Sequence, residues 1–391
     1  MKILFFLMTF IVVAFNYNCV YAQDVRIRVL SSQQNIEVTS ADTLDILNYT
    51  TGQKILYGIL RQGYNFEADS SGITMFVPEG DMLFLTFFLP NEILIKPENP
   101  GSIIFLNKKE YRGAVLLRKR SAKDSNFVGE GLSLDGINVL DLEDYLRGTI
   151  RCEISPLWPK EAIKAHIVAA RTYAMFQMQA RKNEIFDMES DVSSQVYQGC
   201  SGEDTSSDQL ILETSGEYLI YKGGVINAFY HSCCGGYTED ASNVWGISRS
   251  YLSGVRCSFC KDSPNFYWEK KIQAKQIQSA LKKYYSDVGE IKEISVLEKD
   301  KTDRVLFLEI LHSNGRLRLS GVNFRAYIGY VQMPSTLFLV QKKDAESFLF
   351  YGRGWGHGVG MCQWGAKGMA QAGYSYFEIL KYYYPGTEIK K

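Results

Sequence analysis

Glycine occupies every second position over Gly352–Gly360, within the longer stretch Gly352–Gly365. This spacing is not helical. In extended backbone successive side chains point to opposite faces, so one face here would be bare backbone and the other would carry Trp355 and His357. Glycine loses much conformational entropy on folding, so five in alternation need positive φ angles, close backbone approach, or a ligand against the chain. A glycine-rich structural turn is the simpler alternative. We take this stretch as the segment around which the rest of the chain is organised.

The first 22 residues are typical of a secretory signal peptide. Lys2 is followed by an apolar run over 3–15, and the segment ends in Val20-Tyr-Ala22, with small or permissive residues at the cleavage positions. The apolar run is too short for an ordinary spanning helix, and no later run reaches membrane-spanning length. We therefore expect cleavage after Ala22, no membrane span afterwards, and a protein that is secreted, periplasmic or part of the cell envelope.

Charge and motif content argue against several function classes. Basic and acidic residues number 43 each, so removal of a leader with one lysine leaves a formal net charge of −1. A near-neutral surface gives no signature of nucleic-acid binding. The sequence has no Ser-His-Asp order, no G-x-S-x-G elbow and no phosphate-binding glycine loop, so the corresponding hydrolases and nucleotide enzymes lack support.

The hydrophobic pattern predicts an α+β protein with two parts after the signal peptide. In residues 23–108, short runs of β-branched and aromatic residues are broken by Gly, Asn and Asp, which indicates a β-rich N-terminal region. This region contains no cysteine, histidine or tryptophan, so we expect active-site chemistry further on. Residues 109–391 are expected to form a mixed α+β domain with one long helix.

The long helix is predicted from Pro159 to about Lys182. Pro159 suits the first helical position, and Glu161 lies in the first turn, where the helix dipole favours an acid. Glu153 is predicted to lie on a loop just before this helix. The last helix is predicted to begin at a capping box whose first residue is Ser375.

Two pairs of residues have the spacing of a metal site. His231 and Cys234 form an H-x2-C pair, and Cys257 and Cys260 form a C-x2-C pair. Together they would close a tetrahedral Cys3His zinc site. Secretion also favours disulfides, such as Cys234 with Cys257 or Cys260, and unpaired structural thiols are a third alternative. All three alternatives are structural, because four protein ligands leave no open position for catalysis.

Glu153 is the candidate acid of the chain. It lies beside Cys152 and Ile154, with Trp158 close in sequence. Burial among such residues would raise the pKa of its carboxyl group toward the value that a general acid needs. The alternative is a surface acid that precedes a helix.

Aromatic and basic residues after position 150 are candidates for binding a sugar. All five tryptophans lie there, and the face of a tryptophan is a good platform for the apolar face of a sugar, although core packing is its commoner use. Arg171, on the long helix, would either bind a substrate or pair with an acid of its own domain. His166 is expected in the core, whereas His357 would contact a ligand or form a structural hydrogen bond.

Several segments of the chain resemble the family of stage II sporulation protein D and the amidase enhancer. They occur in one order over about residues 109–388 and are Val139–Gly148, Glu153 with Trp158-Pro159, Glu161–Ala174, Ser194–Tyr197, Phe229–Glu239, Val244–Gly246, Gly352–Gly365 and Tyr382–Gly386. The combination is highly specific. The N-terminal region is covered poorly or not at all.

The resemblance implies a peptidoglycan lytic transglycosylase, a lyase that cuts glycan strands between N-acetylmuramic acid and N-acetylglucosamine after an amidase has removed the stem peptides. It implies that Glu153 is the general acid and base and that Arg171 is a second catalytic residue. The muramic acid 6-hydroxyl would attack C1 and close a 1,6-anhydro ring, so one acid suffices where an ordinary glycosidase uses two. The sugar-binding residues that we predict are Trp158, Tyr197, Trp355, His357 and Trp364.

Two other functions remain open at this stage. One is a non-catalytic, glycan-binding enhancer of an N-acetylmuramoyl-L-alanine amidase, and the other is a purely structural envelope protein. The presence of both Glu153 and Arg171 favours the enzyme. We expect no cofactor in catalysis, and a zinc ion, if that alternative applies at His231, Cys234, Cys257 and Cys260, would be structural. Some relatives bind zinc near the segment equivalent to Asp191–Tyr197, but this chain has no cysteine or histidine there, so its zinc prediction rests on spacing.

Overall fold

The structure, a computed structural model, describes residues 24–59, 63–79, 83–121, 132–344 and 346–391. The predicted signal peptide lies outside these residues. The described strands and helices confirm the predicted α+β class. The described strands, numbered β1 to β24 in chain order, are Val25–Gln33, Asn35–Ser40, Leu44–Asn48, Lys54–Ile59, Tyr64–Ala68, Ile73–Glu79, Leu83–Leu89, Glu92–Pro97, Ile104–Leu106, Lys109–Tyr111, Ala114–Lys119, Leu134–Leu140, Met188–Glu189, Tyr218–Tyr221, Gly224–Val225, Tyr230–His231, Tyr267–Gln273, Ile291–Lys299, Val305–His312, Gly315–Ser320, Phe338–Lys342, Ser347–Arg353, Met361–Cys362 and Glu388–Lys390. The described helices, α1 to α8, are Leu142–Glu153, Lys160–Ala180, Thr205–Glu213, Ala241–Trp245, Ala274–Lys282, Gly321–Ile328, Gln363–Gln371 and Tyr376–Tyr383. Over these ranges no helix is both long and apolar enough to cross a membrane.

Two large sheets make up the first half of the described chain. One has the strand order β13-β1-β12-β11-β8-β3-β4, and the other has the order β10-β9-β2-β5-β6-β7. Buried and less buried residues alternate along β2 and β8, which is the pattern of a sheet with one face toward a core. Ile27 and Ile93 of the first sheet and Phe66 of the second belong to the same hydrophobic core. The two sheets therefore enclose this core between them.

The predicted boundary between residues 108 and 109 does not separate two cores and is corrected here. β9 and β10 pair across it in antiparallel register, with Lys109 opposite Leu106. β11 pairs with β8, and β12 pairs with β1, so strands from both predicted parts lie side by side. Strand pairing joins segments that are distant in sequence, so a change of composition along the chain does not mark a structural boundary here.

Helix α2 confirms the predicted long helix at almost the predicted residues. Pro159 occupies the position before its first residue. Ile163 and Ile167 belong to the first core, whereas Ala165 and Val168 belong to a second core formed with the C-terminal part of the chain. The helix is apolar on both of these sides because it is packed between two cores.

A third core is formed by residues of the chain from β17 to β22, between Ile272 and Phe350 in sequence. β17, β22 and β21 form one three-stranded sheet, and β18, β19 and β20 form another. Phe324, Phe338 and Phe350 contact one another at its centre, with ring centroids 5.7 to 6.2 Å apart. β22 leads directly into the glycine stretch, so this core fixes the start of that stretch.

Candidate functional site

Glu153 is the last residue of helix α1, which corrects the prediction of a loop position before α2. The helix begins after Asp141, whose carboxylate accepts a hydrogen bond from the backbone of the first turn at 2.8 Å. It ends at Glu153 because Ile154 is extended, with φ −140° and ψ 157°, and Pro156 prevents another turn. The carboxyl group is therefore fixed at a helix C-terminus, where the helix dipole disfavours negative charge.

Two contacts hold Glu153 in position. Its Oε1 accepts a hydrogen bond from the N–H group of Val196 at 2.8 Å, and its backbone carbonyl accepts one from Nε2 of Gln363 at 3.5 Å. Burial raises the pKa of the carboxyl group, although the hydrogen bond from Val196 acts in the opposite direction. Glu153 therefore keeps its proton to a higher pH than an exposed glutamate does, which a general acid requires.

The segment that holds Glu153 is itself anchored by buried side chains. Gln195 accepts a hydrogen bond from the hydroxyl of Tyr145 at 2.9 Å and donates one to the hydroxyl of Tyr230 at 2.8 Å. Burial, with a smaller effect from the charge of Glu153, raises the pKa of the Tyr230 hydroxyl well above its usual value. The tyrosines near Glu153 therefore remain neutral, and the carboxyl group is the titratable acid of this region.

Tyr197 is packed inside the protein, which does not fit its predicted role in sugar binding. Only 5% of the residue is exposed, and its hydroxyl donates a hydrogen bond to Oδ1 of Asn138 at 2.6 Å. Its ring lies against Gly148, where an added Cβ atom would be 2.5 Å from the ring. Tyr197 instead packs the end of the Glu153-holding segment against α1.

Arg171 pairs with an acid of its own domain, which is one of the two alternatives predicted for it. Its guanidinium group is buried and binds Glu143 of α1 through two hydrogen bonds of 2.8 and 2.7 Å. A third hydrogen bond, of 3.1 Å, goes to the carbonyl of Glu217. Among the described contacts none joins Arg171 to Glu153. The arginine ties α2 to α1 and so acts on Glu153 only through the helix that carries it.

Trp158, five residues after Glu153 in the chain, and Trp364 lie together. Their ring centroids are 5.2 Å apart in an edge-to-face arrangement, and Nζ of Lys367 lies 4.3 Å from the centroid of Trp364 and 5.4 Å from that of Trp158. Trp364 follows Gln363, the residue whose side chain contacts the carbonyl of Glu153. Both tryptophans and the lysine are partly exposed, so they form an aromatic and basic surface.

The glycine stretch is an irregular loop and not a continuous strand. Gly354, Gly356, Gly358 and Gly360 all have positive φ angles, between 72° and 115°. An added Cβ atom at Gly360 would lie 2.0 Å from the carbonyl oxygen of Phe229. Positive φ and close backbone approach therefore both occur, and the approaching atoms belong to the protein itself.

His357 and Trp355 lie within this loop. Nδ1 of His357 accepts a hydrogen bond from the N–H group of Val359 at 3.1 Å, and its ring centroid is 5.0 Å from that of Trp245. Burial lowers the pKa of His357 to about 3, so the imidazole is neutral at ordinary pH. Trp355 pairs through its backbone with Cys233. Trp245, which we did not select from the sequence, is 39% exposed and is the more accessible aromatic residue here.

The four-residue metal site is corrected in one ligand. Cys234, Cys257 and Cys260 do come together, but the fourth thiol is that of Cys362, and the four sulfur atoms all lie within 4.8 Å of one another. His231 is not among them, and its Nδ1 lies 3.0 Å from the carbonyl oxygen of Val359. The described cysteines are all free thiols. Cys362 was missed because it is distant in sequence and belongs to no paired-ligand motif.

Comparison with known proteins identifies the family. The sequence family described as stage II sporulation protein matches residues 130–221, and a domain of unknown function (DUF8618) matches residues 249–360. An uncharacterised protein of Brachyspira hyodysenteriae is 32% identical over 340 residues, which cover 84% of this chain and 87% of that protein. The amidase enhancer of Bacillus subtilis is 30% identical over 349 residues, which cover 76% of this chain and 47% of that protein.

Stage II sporulation protein D of Bacillus subtilis is 28% identical over 269 residues, which cover 64% of this chain and 75% of that protein. The chain therefore belongs to the family of stage II sporulation protein D and the amidase enhancer, as its sequence resemblance predicted. The matched range 130–221 contains Glu153, Arg171 and the segment that holds Glu153.

Proposed function

We propose that this protein is a lytic transglycosylase that cleaves peptidoglycan glycan strands, with Glu153 as its acid and base. The observation that carries the proposal is the environment of Glu153. A partly buried carboxyl group with a raised pKa stands at a helix end and is oriented by Val196. Gln363, the chain neighbour of Trp364, links the same residue to the Trp158–Trp364 pair. Family membership supports the same proposal.

The reaction requires only Glu153 and the substrate. Protonated Glu153 gives its proton to the glycosidic oxygen as the bond from C1 of N-acetylmuramic acid breaks, which releases the N-acetylglucosamine 4-hydroxyl. The resulting carboxylate accepts the proton of the muramic acid 6-hydroxyl while that oxygen bonds to C1. Glu153 ends protonated, no water is consumed, and the product carries a 1,6-anhydro ring.

Lys367 supports a preference for strands without stem peptides. An amidase that removes a stem peptide leaves the lactyl group of muramic acid as a free carboxylate. The ammonium group of Lys367, held over both tryptophan rings, would pair with that carboxylate, whereas a lactyl amide carries no charge. Among the described residues no acidic side chain forms an ion pair with Lys367, so its charge is available to a ligand.

A second candidate function is supported by the similarity to a protein named amidase enhancer. In that case the same surface would bind glycan strands and present them to an N-acetylmuramoyl-L-alanine amidase without turnover. Either function would be exercised outside the cytoplasm, in agreement with the signal-like first 22 residues. Retention of a positioned acid at Glu153 favours the enzyme.

Product analysis tests the proposal. Purified protein is incubated with peptide-free glycan strands beside two variants, Glu153→Gln and Glu269→Gln, of which the second removes an exposed acid on β17. We expect 1,6-anhydro ends from the wild type and from Glu269→Gln, and none from Glu153→Gln. Intact strands that remain bound to the wild-type protein would support the amidase-enhancing function and overturn turnover.

A further inference from the structure

We propose that Cys234, Cys257, Cys260 and Cys362 bind a structural zinc ion. Each of these cysteines is at most 1% exposed, and their sulfur atoms lie within 4.8 Å of one another. The proposal is independent of the proposed activity, because it concerns ligands and not the carboxyl group of Glu153.

The distances between the sulfur atoms fit a single tetrahedral ion. A zinc–sulfur bond of about 2.3 Å places neighbouring sulfur atoms about 3.8 Å apart in a tetrahedron. The sulfur atoms of Cys234 and Cys260 are 3.5 Å apart, far longer than a disulfide bond of about 2.05 Å. The cysteines of an iron–sulfur cluster stand outside a core of several atoms, so their sulfur atoms would be more widely spaced than these are.

Hydrogen-bond donors point at the cluster, as a metal-bound thiolate requires. The sulfur of Cys362 accepts hydrogen bonds of 3.3 Å from the N–H groups of Cys234 and Gly365, and Cys362 caps the N-terminus of α7. The hydroxyl of Tyr383 lies 3.2 Å from the sulfur of Cys257. Such donors and a helix N-terminus stabilise negative charge on sulfur. Four buried thiolates would repel one another without a cation, and a divalent ion removes that repulsion.

The ligands come from three separate segments and meet around α7. Gly365 of this helix faces the C-x2-C pair so closely that an added Cβ atom would lie 2.7 Å from the sulfur of Cys257. The helix begins at Gln363, which contacts the carbonyl of Glu153, and continues with Trp364. A zinc ion at Cys362 would therefore fix the helix that carries one side of the candidate sugar-binding surface.

Metal analysis of the full mature chain tests this site. We expect about one zinc ion per chain by elemental analysis. Cys362→Ser should abolish stoichiometric zinc, and Cys200→Ser, which removes a partly exposed thiol outside the cluster, should retain it. Replacement of zinc by cobalt in the wild type should give the visible absorption of tetrahedral thiolate coordination, a result that does not depend on whether the serine variant folds. Metal-free wild-type protein with two fewer titratable thiols would overturn the proposal in favour of a disulfide, and bound iron would overturn the assignment to zinc.

Discussion

The N–H group of Val196 lies 2.8 Å from Oε1 of Glu153 and joins the end of helix α1 to the segment Ser194–Tyr197. Burial of Glu153 favours the protonated carboxyl group, whereas this hydrogen bond favours the carboxylate. The two influences oppose each other, and burial is the larger, so the pKa is raised on balance. A group that must first donate a proton and then accept one needs this balance.

The raised pKa of Glu153 has a predictable effect on stability. Because the pKa in the folded state lies above the value of 4.5 for the free side chain, folded protein loses stability as the pH rises through the folded-state pKa. Glu153→Gln keeps the acceptor for Val196 and removes the buried charge. We therefore expect Glu153→Gln to have a higher Tm than the wild type at neutral pH, with the difference disappearing below about pH 4.5. Thermal unfolding at several pH values, with Glu269→Gln as control, measures this difference in Tm. A Tm difference between Glu153→Gln and the wild type that did not change with pH would count against a raised pKa.

Arg171 should matter for stability and not for the chemical step. Arg171→Ala leaves Glu143 without its partner, and we expect a loss of about 3 kcal/mol in the free energy of unfolding, at the lower end for a buried pair because Glu143 is partly exposed. Arg171→Lys should recover part of this free energy of unfolding. Arg249→Ala, at an exposed position, should change stability by less than about 0.5 kcal/mol. Denaturant unfolding gives these values, and a large loss of kcat per folded Arg171→Lys molecule would restore a catalytic role.

Gly360 and Gly246 have the same backbone conformation but different surroundings. Substitutions at these two positions therefore distinguish the cost of a positive φ angle from the cost of steric crowding. Gly360 and Gly246 have φ angles of 72° and 71°, but an added Cβ atom meets the carbonyl oxygen of Phe229 at Gly360 and nothing within 4 Å at Gly246. We expect Gly246→Ala to cost about 1 kcal/mol from the positive φ alone, and Gly360→Ala to cost clearly more. Denaturant unfolding measures both losses of unfolding free energy. Equal losses would show that the contact with the carbonyl oxygen of Phe229 adds nothing to the cost of the positive φ angle.

Gly356→Val should act mainly through stability. Its added Cβ atom would lie 2.8 Å from the Cβ atom of His231, at a φ of 115°. The side chain therefore collides with the protein before it reaches any ligand. We expect a lowered Tm, and a variant of unchanged Tm that no longer binds glycan would instead place a ligand against this glycine.

Lys367 should set the preference for peptide-free strands. Lys367→Met keeps an unbranched apolar chain over Trp158 and Trp364 and removes the ammonium group with its charge. We expect binding of peptide-free strands to fall at least roughly tenfold, because a charge-assisted hydrogen bond contributes about 1.5 to 3 kcal/mol, while binding of peptide-bearing strands is unchanged. Cosedimentation in the Glu153→Gln background, which leaves the strands intact, measures both. An equal loss on the two substrates would mean that the lysine does not recognise the lactyl carboxylate.

Features that depend on neighbouring residues were predictable from the sequence. The long helix α2 follows from Pro159, Glu161 and the apolar spacing after them. The last helix begins at Ser375 with the predicted capping box, in which the serine and Glu378 bond each other's backbone. Positive φ in the glycine stretch was one of the reasons proposed for its composition and is confirmed.

Features that depend on tertiary contacts were not predictable. Gln363 reaches Glu153 across 210 positions of sequence, and Cys362 completes a cluster whose other members follow a local spacing rule. The sequence leaves open whether Arg171 binds a ligand or pairs with an acid. The packing of α2 against α1 brings Arg171 into contact with Glu143 and so answers the question. Likewise, the predicted domain boundary does not match the strand pairing, because β-strands pair between segments that are distant in sequence and carry no local signal of it.

The central claim is that Glu153 directs an intramolecular attack by the substrate. The most direct measurement is mass spectrometry of products formed from peptide-free glycan strands in water enriched in heavy oxygen. We expect 1,6-anhydro-muramic acid ends with no heavy oxygen from the wild type and no product from Glu153→Gln. Reducing ends that carry heavy oxygen would show hydrolysis by water and would contradict the central claim.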